Sequence, residues 1–442
     1  MIDGQLGYAL SGELQIAYRA SGLHNALDLI LVPGMVSHLE AFAEFELHST
    51  WIERLGRRFR VIEYDKRGQG LSDRLNGVPP PEQLMDDISA LIDTLKSDRP
   101  VLFGYSEGGA IALLYAATYP ERVRGVVVFG AFPRFSNSGD YNLMWPRDET
   151  LKMERWWGTG GSGYQFCPQL MSVPGFRERF ARLERMCCTP KAWRQMIDTL
   201  CQLDIRPVLP QVRVPVLVTH RRDDKAVPVA NGRFLADNLP NALYVELPTG
   251  GHIPAFGDTE ALVEEIEKFA FSNGNQPAAG DKLLSTVLFT DIVGSSERLA
   301  EMGDRAWRQT LDRHDRAVEE ALRPHRGRLI KSTGDGVLCL FDGPVRAIAA
   351  ARALIQRLRD LDLQIRVALH TGEVEPRHGD VTGLAVHVAA RLLTIAQPNE
   401  ILVTRTLADL VAGADVSFSD RGRHALKGIP GEWQLLSVAP GS

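Results

Sequence analysis

The stretch Val101-Leu102-Phe103-Gly104-Tyr105-Ser106-Glu107-Gly108-Gly109 decides the fold of the first part of this chain. Its first three residues are apolar and predict a buried strand, and residues 109–118 predict a helix directly after it. A tight strand-to-helix turn exposes a serine hydroxyl, and flanking glycines keep other side chains away from it. The start of the following helix offers backbone N–H groups to a developing oxyanion. Ser106 is therefore the candidate nucleophile of an acyl-transfer site.

On both sides of this stretch, short apolar strands alternate with amphipathic helices. That alternation predicts a mostly parallel sheet covered by helices on both faces. Between residues 133 and 206 it stops, which indicates a helical insertion over one end of the sheet. The predicted strands are 27–32, 59–64, 101–103, 125–129, 214–219 and 243–247, and one predicted helix is 82–96.

An acid and a histidine follow the serine in the order that a catalytic triad on such a sheet requires. The strand 214–219 leads into a polar turn that contains Asp223 and Asp224, and Asp224 is the natural acid. His252 follows the last strand in a glycine-rich loop and is the candidate base. Because the two aspartates are adjacent, Asp223 remains a competing acid at this point.

Residues 1–271 resemble the α/β-hydrolase family through the Ser106 turn and the loop Glu63-Tyr64-Asp65-Lys66-Arg67-Gly68-Gln69-Gly70-Leu71-Ser72-Asp73. The resemblance implies an oxyanion hole made by the backbone N–H groups of Met35 and Glu107. Many members have His-Gly where this chain has Pro33-Gly34. The insertion 133–206 corresponds to the family's cap, which sets substrate choice. Four tryptophans in it suggest a pocket for a small apolar or acyl ligand: Trp145, Trp156, Trp157 and Trp193.

The run Ser272 to Asp281 contains only small, polar, glycine and proline residues, which cannot bury a core. We therefore predict a linker at residues 272–282 and a second domain at residues 283–442. In that domain a strand is followed by two helices, a hairpin and then further helices and strands. This order predicts an α+β sandwich with helices packed on a sheet. Its predicted elements are a strand at 283–290, helices at 294–302 and 304–323, a hairpin at 328–332 and 337–341, a helix at 344–361, a strand at 364–370, a helix at 385–395 and a strand at 401–404.

Two acidic residues in the second domain are placed as in a binding site for a nucleoside triphosphate and its divalent cations. Asp291 lies at a strand end, before small residues that open a helix, and Asp335 lies in the turn of the predicted hairpin. Carboxylates bind divalent cations, and the free N–H groups of a helix start bind phosphate oxygens. Two carboxylates on neighbouring strands can hold two Mg²⁺ or Mn²⁺ ions, the arrangement that in-line displacement at phosphorus favours.

Residues 283–438 resemble the catalytic domain of class III nucleotide cyclases, and the whole chain resembles the mycobacterial-type fusions of a hydrolase and a cyclase. The resemblance makes Asp291 and Asp335 the metal ligands and implies a homodimer, because each site then takes residues from two chains. The remaining residues that it implies are Lys331 and Asp380 for the purine, Lys427 of the final signature for substrate binding, Arg391 for the transition state, and His387 where most active members have asparagine.

Base selectivity follows from hydrogen bonding. Adenine presents an acceptor at N1 and a donor at its exocyclic amine, which match the ammonium of Lys331 and the carboxylate of Asp380. Guanine reverses the pattern, and each unpaired buried polar group costs about 1–3 kcal/mol. The pair therefore favours ATP.

Composition excludes several other classes of function. The 442-residue chain has a net charge of −5 and a pI of about 6.2, which argues against nucleic-acid binding. Five cysteines do not make a disulfide framework, and the N-terminus lacks the features of a signal peptide. No apolar run approaches the length of a membrane span. We expect a cytoplasmic protein without a membrane segment.

The sequence thus predicts an adenylate cyclase that forms cyclic AMP and pyrophosphate from ATP, with an N-terminal serine-hydrolase-like domain. One alternative is an esterase-type hydrolase whose cyclase domain is weak or inactive, because His387 departs from the family pattern. Another alternative is a sensor in which an apolar ligand of the hydrolase domain controls dimerisation of the cyclase domain.

Overall fold

The computed structural model describes residues 4–272, 282–377 and 379–440. The chain divides into two compact units at residues 280 and 281, and each unit has its own sheet and hydrophobic core. Of the predicted linker 272–282, all but Ser272 and Lys282 lies outside the described residues. No helix in the described ranges combines the length and the hydropathy that crossing a bilayer requires.

The first unit is built on an eight-stranded sheet with the order β1-β2-β4-β3-β5-β6-β7-β8. Strands β3 to β8 run parallel, and only β1 and β2 are antiparallel to their neighbours, so the prediction of a mostly parallel sheet is confirmed. The strands are β1 Gln5–Ser11, β2 Leu14–Gly22, β3 Leu27–Val32, β4 Phe59–Tyr64, β5 Val101–Tyr105, β6 Gly125–Phe129, β7 Val216–Arg221 and β8 Ala242–Leu247.

Helices surround this sheet because its parallel strands are apolar on both faces. The described helices of the unit are α1 Leu39–Ala43, α2 Glu46–Leu55, α3 Pro81–Leu95, α4 Glu107–Thr118, α5 Arg147–Leu151, α6 Gly163–Phe166, α7 Phe176–Cys187, α8 Pro190–Leu200, α9 Ala230–Asn238 and α10 Glu260–Phe271. Helix α4 is buried along nearly its whole length, which agrees with its run of alanine, leucine and glycine.

The predicted insertion contains the four helices α5 to α8 between β6 and β7. Its two ends are tied together by a buried carboxylate. Arg134 Nη1 lies 2.9 Å from Asp204 Oδ2, and Arg206 Nη2 lies 2.7 Å from the same oxygen.

The second unit has a mixed sheet with the order β10-β11-β9-β12-β14-β16-β15, and β13 pairs with β12. Its strands are β9 Leu283–Ile292, β10 Arg328–Ser332, β11 Val337–Phe341, β12 Ile365–Arg377, β13 Asp380–Thr382, β14 Ile401–Thr404, β15 Phe418–Ala425 and β16 Glu432–Val438, and its helices are α11 Ser295–Leu322, α12 Pro344–Arg359, α13 Leu384–Leu393 and α14 Arg405–Asp409. The helix α11 is broken at Gly303, whose φ is 75°, where the sequence predicts two separate helices.

The strands that sequence reasoning missed are those without a continuous apolar run. Most residues of β1 are exposed or partly exposed, and β15 contains no fully buried residue and carries several charged side chains. The predicted strand 214–219 is displaced, because β7 begins after Pro215 and continues through His220 and Arg221. These two polar residues are fully buried, which a reading of hydropathy alone does not anticipate.

Candidate functional site

Ser106 lies in a sharp turn between β5 and α4 with the backbone angles φ 54° and ψ −128°. A positive φ is strained for a residue with a side chain and occurs where the surrounding structure imposes it. The two flanking glycines are required by packing, because a Cβ on Gly104 would lie 2.5 Å from Gly108 O, and a Cβ on Gly108 would lie 2.2 Å from Val32 O. The turn therefore presents the hydroxyl as a nucleophile elbow does.

Asp224 and His252 lie in contact, and Asp223 turns elsewhere. His252 Nδ1 is 2.8 Å from Asp224 Oδ2, and both side chains are nearly fully buried. Asp223 instead accepts hydrogen bonds from the backbone N–H groups of Gly250 and Gly251 at 3.0 and 3.3 Å. Of the two adjacent aspartates, only Asp224 contacts the imidazole.

The carboxylate of Asp224 is held in its charged form. Its Oδ1 accepts hydrogen bonds from the backbone N–H groups of Ala226 and Val227, both at 2.9 Å. His220 Nε2 lies 3.5 Å from its Oδ2. Burial by itself raises the pKa of Asp224, but His252 and His220 outweigh it and hold the pKa below its usual range. An ionised acid next to the histidine is what orientation of a catalytic base requires.

A cavity of about 830 Å³ lies over Ser106 between the sheet and the cap. Ser106, His252 and Met35 line it together with mostly apolar side chains. Three of the four predicted tryptophans line it as well: Trp145, Trp157 and Trp193. Trp156 is 40% exposed at the surface and carries Arg155 over its ring, so its assignment to the pocket is wrong.

Glu107, whose backbone N–H is the second expected oxyanion donor, follows Ser106 at the start of α4. Its side chain forms a largely buried ion pair with Lys66, in which Nζ lies 2.7 Å from Oε2. Lys66 thereby neutralises a carboxylate that would otherwise lie unpaired next to the nucleophile.

In the second unit, the hairpin turn brings Asp335 against the end of β9, which carries Asp291. The backbone N–H of Ile292 donates to Asp335 O at 3.0 Å. Gly336 permits this approach, because a Cβ there would lie 1.8 Å from Thr290 O. Ser295, in the first turn of α11, donates a hydrogen bond to Asp335 Oδ2.

Asp291 has an oxygen that is available to a ligand. Its Oδ1 is buried and has no hydrogen-bond partner among the described residues, and its Oδ2 lies 3.3 Å from Arg366 Nη1. Burial raises the pKa of Asp291, the charge of Arg366 opposes this, and the nearby Asp335 adds to it. Two close carboxylates with an unsatisfied oxygen form an environment that favours a cation.

Lys331 and Asp380 form an ion pair between β10 and β13, with Lys331 Nζ 2.6 Å from Asp380 Oδ2. The hydrogen bond from Lys331 lowers the pKa of the Asp380 carboxyl. Both side chains are about half exposed, so the pair faces solvent and is open to a ligand.

His387 and Arg391 lie one turn apart on α13, and both are exposed. Arg391 Nε donates to the backbone carbonyl of Lys427 at 3.0 Å, which fixes the arginine against the loop before β16. Within the described ranges, no hydrogen bond or ion pair joins either residue to Asp291 or Asp335. One chain thus holds the acids and the α13 residues in separate groups.

Comparison with known proteins identifies the first unit. The model of the alpha/beta hydrolase fold family matches residues 29–259, more than half of the chain. This chain belongs to the α/β-hydrolase fold family. A curated relative from Caulobacter sp. (strain K31), "Putative carbamate hydrolase RutD", is 33% identical over 211 residues, which are 46% of this chain and 76% of that protein.

Solved structures share the α/β-hydrolase fold with this chain over about three fifths of its length. A bromoperoxidase from Bacillus anthracis covers 61% of the chain and 100% of its own length with a TM-score of 0.54 and 21% identity. A hydrolase from Pseudomonas aeruginosa covers the same share with a TM-score of 0.52 and 23% identity.

The second unit of this α/β hydrolase is a class III cyclase domain. The family model of the adenylate and guanylate cyclase catalytic domain matches residues 284–437. A curated relative from Rhizobium meliloti (strain 1021), "Putative adenylate cyclase 3", is 34% identical over 167 residues, which are 36% of this chain. The matched part spans only 28% of that relative.

Three charged residues in these sites escaped sequence reasoning. Arg366 contacts Asp291 across the β9–β12 pairing, Lys66 pairs with Glu107, and Arg221 contacts the loop of His252. For Arg366 and Arg221 a signal existed, because each charge interrupts or ends an apolar strand run. A charge in such a place needs a partner, but the sequence does not say which one.

Proposed function

We propose that the protein is an adenylate cyclase that converts ATP to cyclic AMP and pyrophosphate at a site shared by two copies of the chain. In this reaction the 3′-hydroxyl of ATP attacks the α-phosphorus and pyrophosphate leaves. The proposal rests on the cyclase domain and on one observation above all. The hairpin turn holds Asp335 against the end of β9, near Asp291, and one oxygen of Asp291 has no hydrogen-bond partner in the part of the chain that the structure describes.

The donor set at this place fits magnesium or manganese. Mg²⁺ is commonly held by one or two carboxylates together with substrate phosphates and water, and both ions prefer oxygen ligands. Asp291 and Asp335 would hold two such ions, and the ions would supply positive charge to the reacting hydroxyl and phosphate oxygens. Ser295 orients Asp335, and Arg366 orients Asp291, through the contacts described above.

Lys331 and Asp380 select the purine in this proposal. Lys331 donates to adenine N1, and Asp380 accepts from the exocyclic amine. Both groups already lie within hydrogen-bond distance of one another, so a ring edge that contacts one also reaches the other. Arg391 stabilises the charge on the pentacoordinate phosphorus, His387 orients the ribose, and Lys427 contributes to substrate binding.

The separation of the acids from the α13 residues favours a homodimer. Acids of one chain and the residues Lys331, Asp380 and Arg391 of the other would complete each site. Exposed leucines lie close to the purine pair in sequence, with Leu329 40% exposed on β10 and Leu384 58% exposed at the start of α13. Apolar side chains of this kind are typical of a surface that is covered on assembly.

The deciding experiment is an assay of the purified full chain with ATP and, separately, GTP, in Mg²⁺ and in Mn²⁺. We expect cyclic AMP from ATP with at least one metal and little cyclic GMP. Absence of cyclic AMP with both metals, in a preparation that is folded and dimeric, would contradict the proposal.

We infer for the first unit a serine ester hydrolase, because Ser106 and His252 line the same mostly apolar cavity and Asp224 is bonded to His252. The mostly apolar lining of this cavity suits a small apolar acyl group. The backbone N–H groups of Met35 and Glu107 would bind the oxyanion. Release of p-nitrophenol from acyl esters of increasing chain length tests this activity in the same preparation.

The same ester series separates the remaining alternatives. A protein that releases p-nitrophenol but forms no cyclic nucleotide is the esterase with an inactive cyclase domain. A protein that cleaves no ester, but whose cyclase activity changes when an apolar ester is added, is the ligand sensor.

A further inference from the structure

A fully buried arginine ends the strand β7 and reaches the loop that carries His252. Arg221 is 0% exposed, and within the described ranges its Nη1 and Nη2 groups donate only to backbone carbonyl oxygens, while its Nε has no partner there. The acceptors are the oxygens of Gly250 at 2.9 Å, Gly251 at 3.4 Å, Ile253 at 3.0 Å, Pro254 at 2.9 Å and Asp258 at 3.0 Å. All five acceptors lie within six residues of His252 in sequence.

Arg221 forms no ion pair with any carboxylate in the described part of the chain. The ring of Phe129 lies 5.0 Å from its guanidinium carbon, which adds a cation–π contact. Burial of an unpaired charge is costly unless hydrogen bonds satisfy it. The loop carbonyls therefore stabilise this cation directly, and the charges of Asp223, Asp224 and Asp258 oppose the effect of burial on its pKa. The cation in turn fixes the loop.

Two glycines of the loop make room for the guanidinium. A Cβ on Gly257 would lie 2.6 Å from Arg221 Cζ, and a Cβ on Gly250 would lie 2.9 Å from Arg221 Nε. Gly250 also has a φ of 134°, which only glycine adopts without strain. The arginine and the two glycines thus form one closely packed arrangement.

Neighbours of Arg221 hold the other groups of the same loop. Asp223 accepts the N–H groups of Gly250 and Gly251, and Asp224 accepts from the ring of His252. Three of four consecutive residues therefore bind the carbonyls, the amides and the imidazole of one loop. We propose that Arg221 is a positioning residue that sets the place of His252 relative to Ser106. This inference rests on the hydrolase activity proposed above.

A purely structural role for Arg221 makes a different forecast. If the arginine only stabilised the fold, its loss would lower the unfolding temperature and leave turnover of the remaining folded protein unchanged. If it positions His252, its loss reduces the rate at which Ser106 is activated and affects substrate binding in the apolar cavity little. A displacement of about 1 Å in a catalytic group costs about 10²-fold in rate.

The test compares Arg221→Met, Arg221→Lys and the matched control Arg222→Met in the full chain. Arg222 is the adjacent residue, but its exposed side chain pairs with Glu246 at 2.8 Å and is not bonded to the loop. With p-nitrophenyl butyrate we expect kcat to fall about 10²-fold in Arg221→Met with KM changed little, because only the base is displaced. Arg221→Lys keeps the charge and should recover part of the rate, and Arg222→Met should match the wild type.

Two further measurements keep the inference separate from the hydrolase proposal. Labelling of Ser106 by a fluorophosphonate should slow in Arg221→Met by about the same factor as kcat. Amide hydrogen exchange in the peptide 249–258 should quicken in that variant and not in Arg222→Met. If Arg221→Met does not fold, Gly257→Ala, which displaces the guanidinium, replaces it in every assay.

The inference would be overturned if the wild type cleaves the ester and Arg221→Met has the same kcat as Arg222→Met. A wild type that neither cleaves esters nor reacts with the probe refutes the proposed hydrolase activity instead. In that case, unchanged amide exchange of the loop in Arg221→Met would overturn the positioning role as well. Faster exchange in that variant would support the inference that Arg221 holds the loop in place.

Discussion

Lys331 Nζ lies 2.6 Å from Asp380 Oδ2, so the two side chains that we propose for purine recognition bind one another across β10 and β13. About half of each side chain is exposed. Exposed ion pairs of this kind contribute about 0–1 kcal/mol to stability. A purine that takes their place therefore displaces a weak interaction, and the pair keeps both groups in one position until a base binds.

Replacing either member of this pair should weaken discrimination between the purines. We expect Lys331→Ala and Asp380→Ala each to reduce kcat/KM for ATP about 10- to 100-fold, because one polar group of the base loses its partner. The ratio of ATP to GTP turnover should fall in parallel. Steady-state assays with both nucleotides measure this, with Lys282→Ala as control, since Lys282 pairs with Glu373 instead. An unchanged ratio would contradict the assignment.

Loss of either candidate metal ligand should abolish cyclase activity. Asp291→Ala and Asp335→Ala should each reduce cyclic AMP formation to background in Mg²⁺ and in Mn²⁺, because two-ion catalysis requires both carboxylates. Isothermal titration with Mn²⁺ and a non-hydrolysable ATP analogue gives an independent readout of binding. The exposed Asp304→Ala is the control. Activity near the wild-type level in either variant would mean that the site lies elsewhere.

Mixing two inactive variants tests whether the site is shared. Asp291→Ala and Arg391→Ala chains should be inactive alone, whereas in mixed dimers both lesions fall in one site and leave the other intact. About a quarter of wild-type activity should return, because half of randomly exchanged dimers are mixed and each has one intact site of two. Subunit exchange is checked by differently tagged chains. No recovery despite exchange would argue for a site within one chain.

Removal of the candidate nucleophile Ser106 should abolish ester hydrolysis and leave cyclic AMP formation unchanged. Ser106→Ala should reduce ester hydrolysis by about 10⁴-fold or more and prevent labelling by a fluorophosphonate, because the hydroxyl is the attacking group. Cyclic AMP formation should continue in the same preparation. Ser89→Ala, which removes a hydroxyl bonded to Tyr115 on the far side of α4, serves as control. Equal labelling of Ser106→Ala and wild type would exclude Ser106.

Acid should destabilise the second unit through a buried histidine. Burial lowers the pKa of His370 to about 3, and its Nδ1 bonds the hydroxyl of Thr404 at 2.8 Å. The unfolded state has a histidine pKa of about 6.5 and so binds a proton first as the pH falls. Stability from the neutral imidazole is complete above about pH 6.5 and is lost towards pH 3.

His370→Gln should therefore flatten the fall of the unfolding temperature between pH 7 and pH 4, even if it lowers the temperature at pH 7. Scanning calorimetry of the full chain at several pH values measures this slope for the transition of the cyclase unit. The partly exposed His424→Gln is the control. Parallel slopes in His370→Gln and wild type would show that other groups cause the acid sensitivity.

Most strands of the two sheets could be predicted from the sequence, and the residues of both candidate sites could be named from it. The strands 27–32, 59–64 and 125–129 were predicted to the residue, because each is a short and mostly apolar run between polar turns. The hairpin at β10 and β11 was predicted equally well from its Asp-Gly turn. The edge strands β1 and β15 and the neighbouring β16 were not, since a strand with many exposed or partly exposed residues resembles a polar loop.

The sequence by itself determined which residue types follow which strands, and so the order of the candidate nucleophile, acid and base and the presence of two candidate metal ligands. Only the tertiary structure decided that Asp224 and not Asp223 contacts His252, and that Arg221 binds the loop beside it. Hydropathy is a local property of the chain, so it predicts strands. The direction of a side chain at a turn depends on which loop, distant in sequence, packs against it. Local sequence patterns do not say which loop that is.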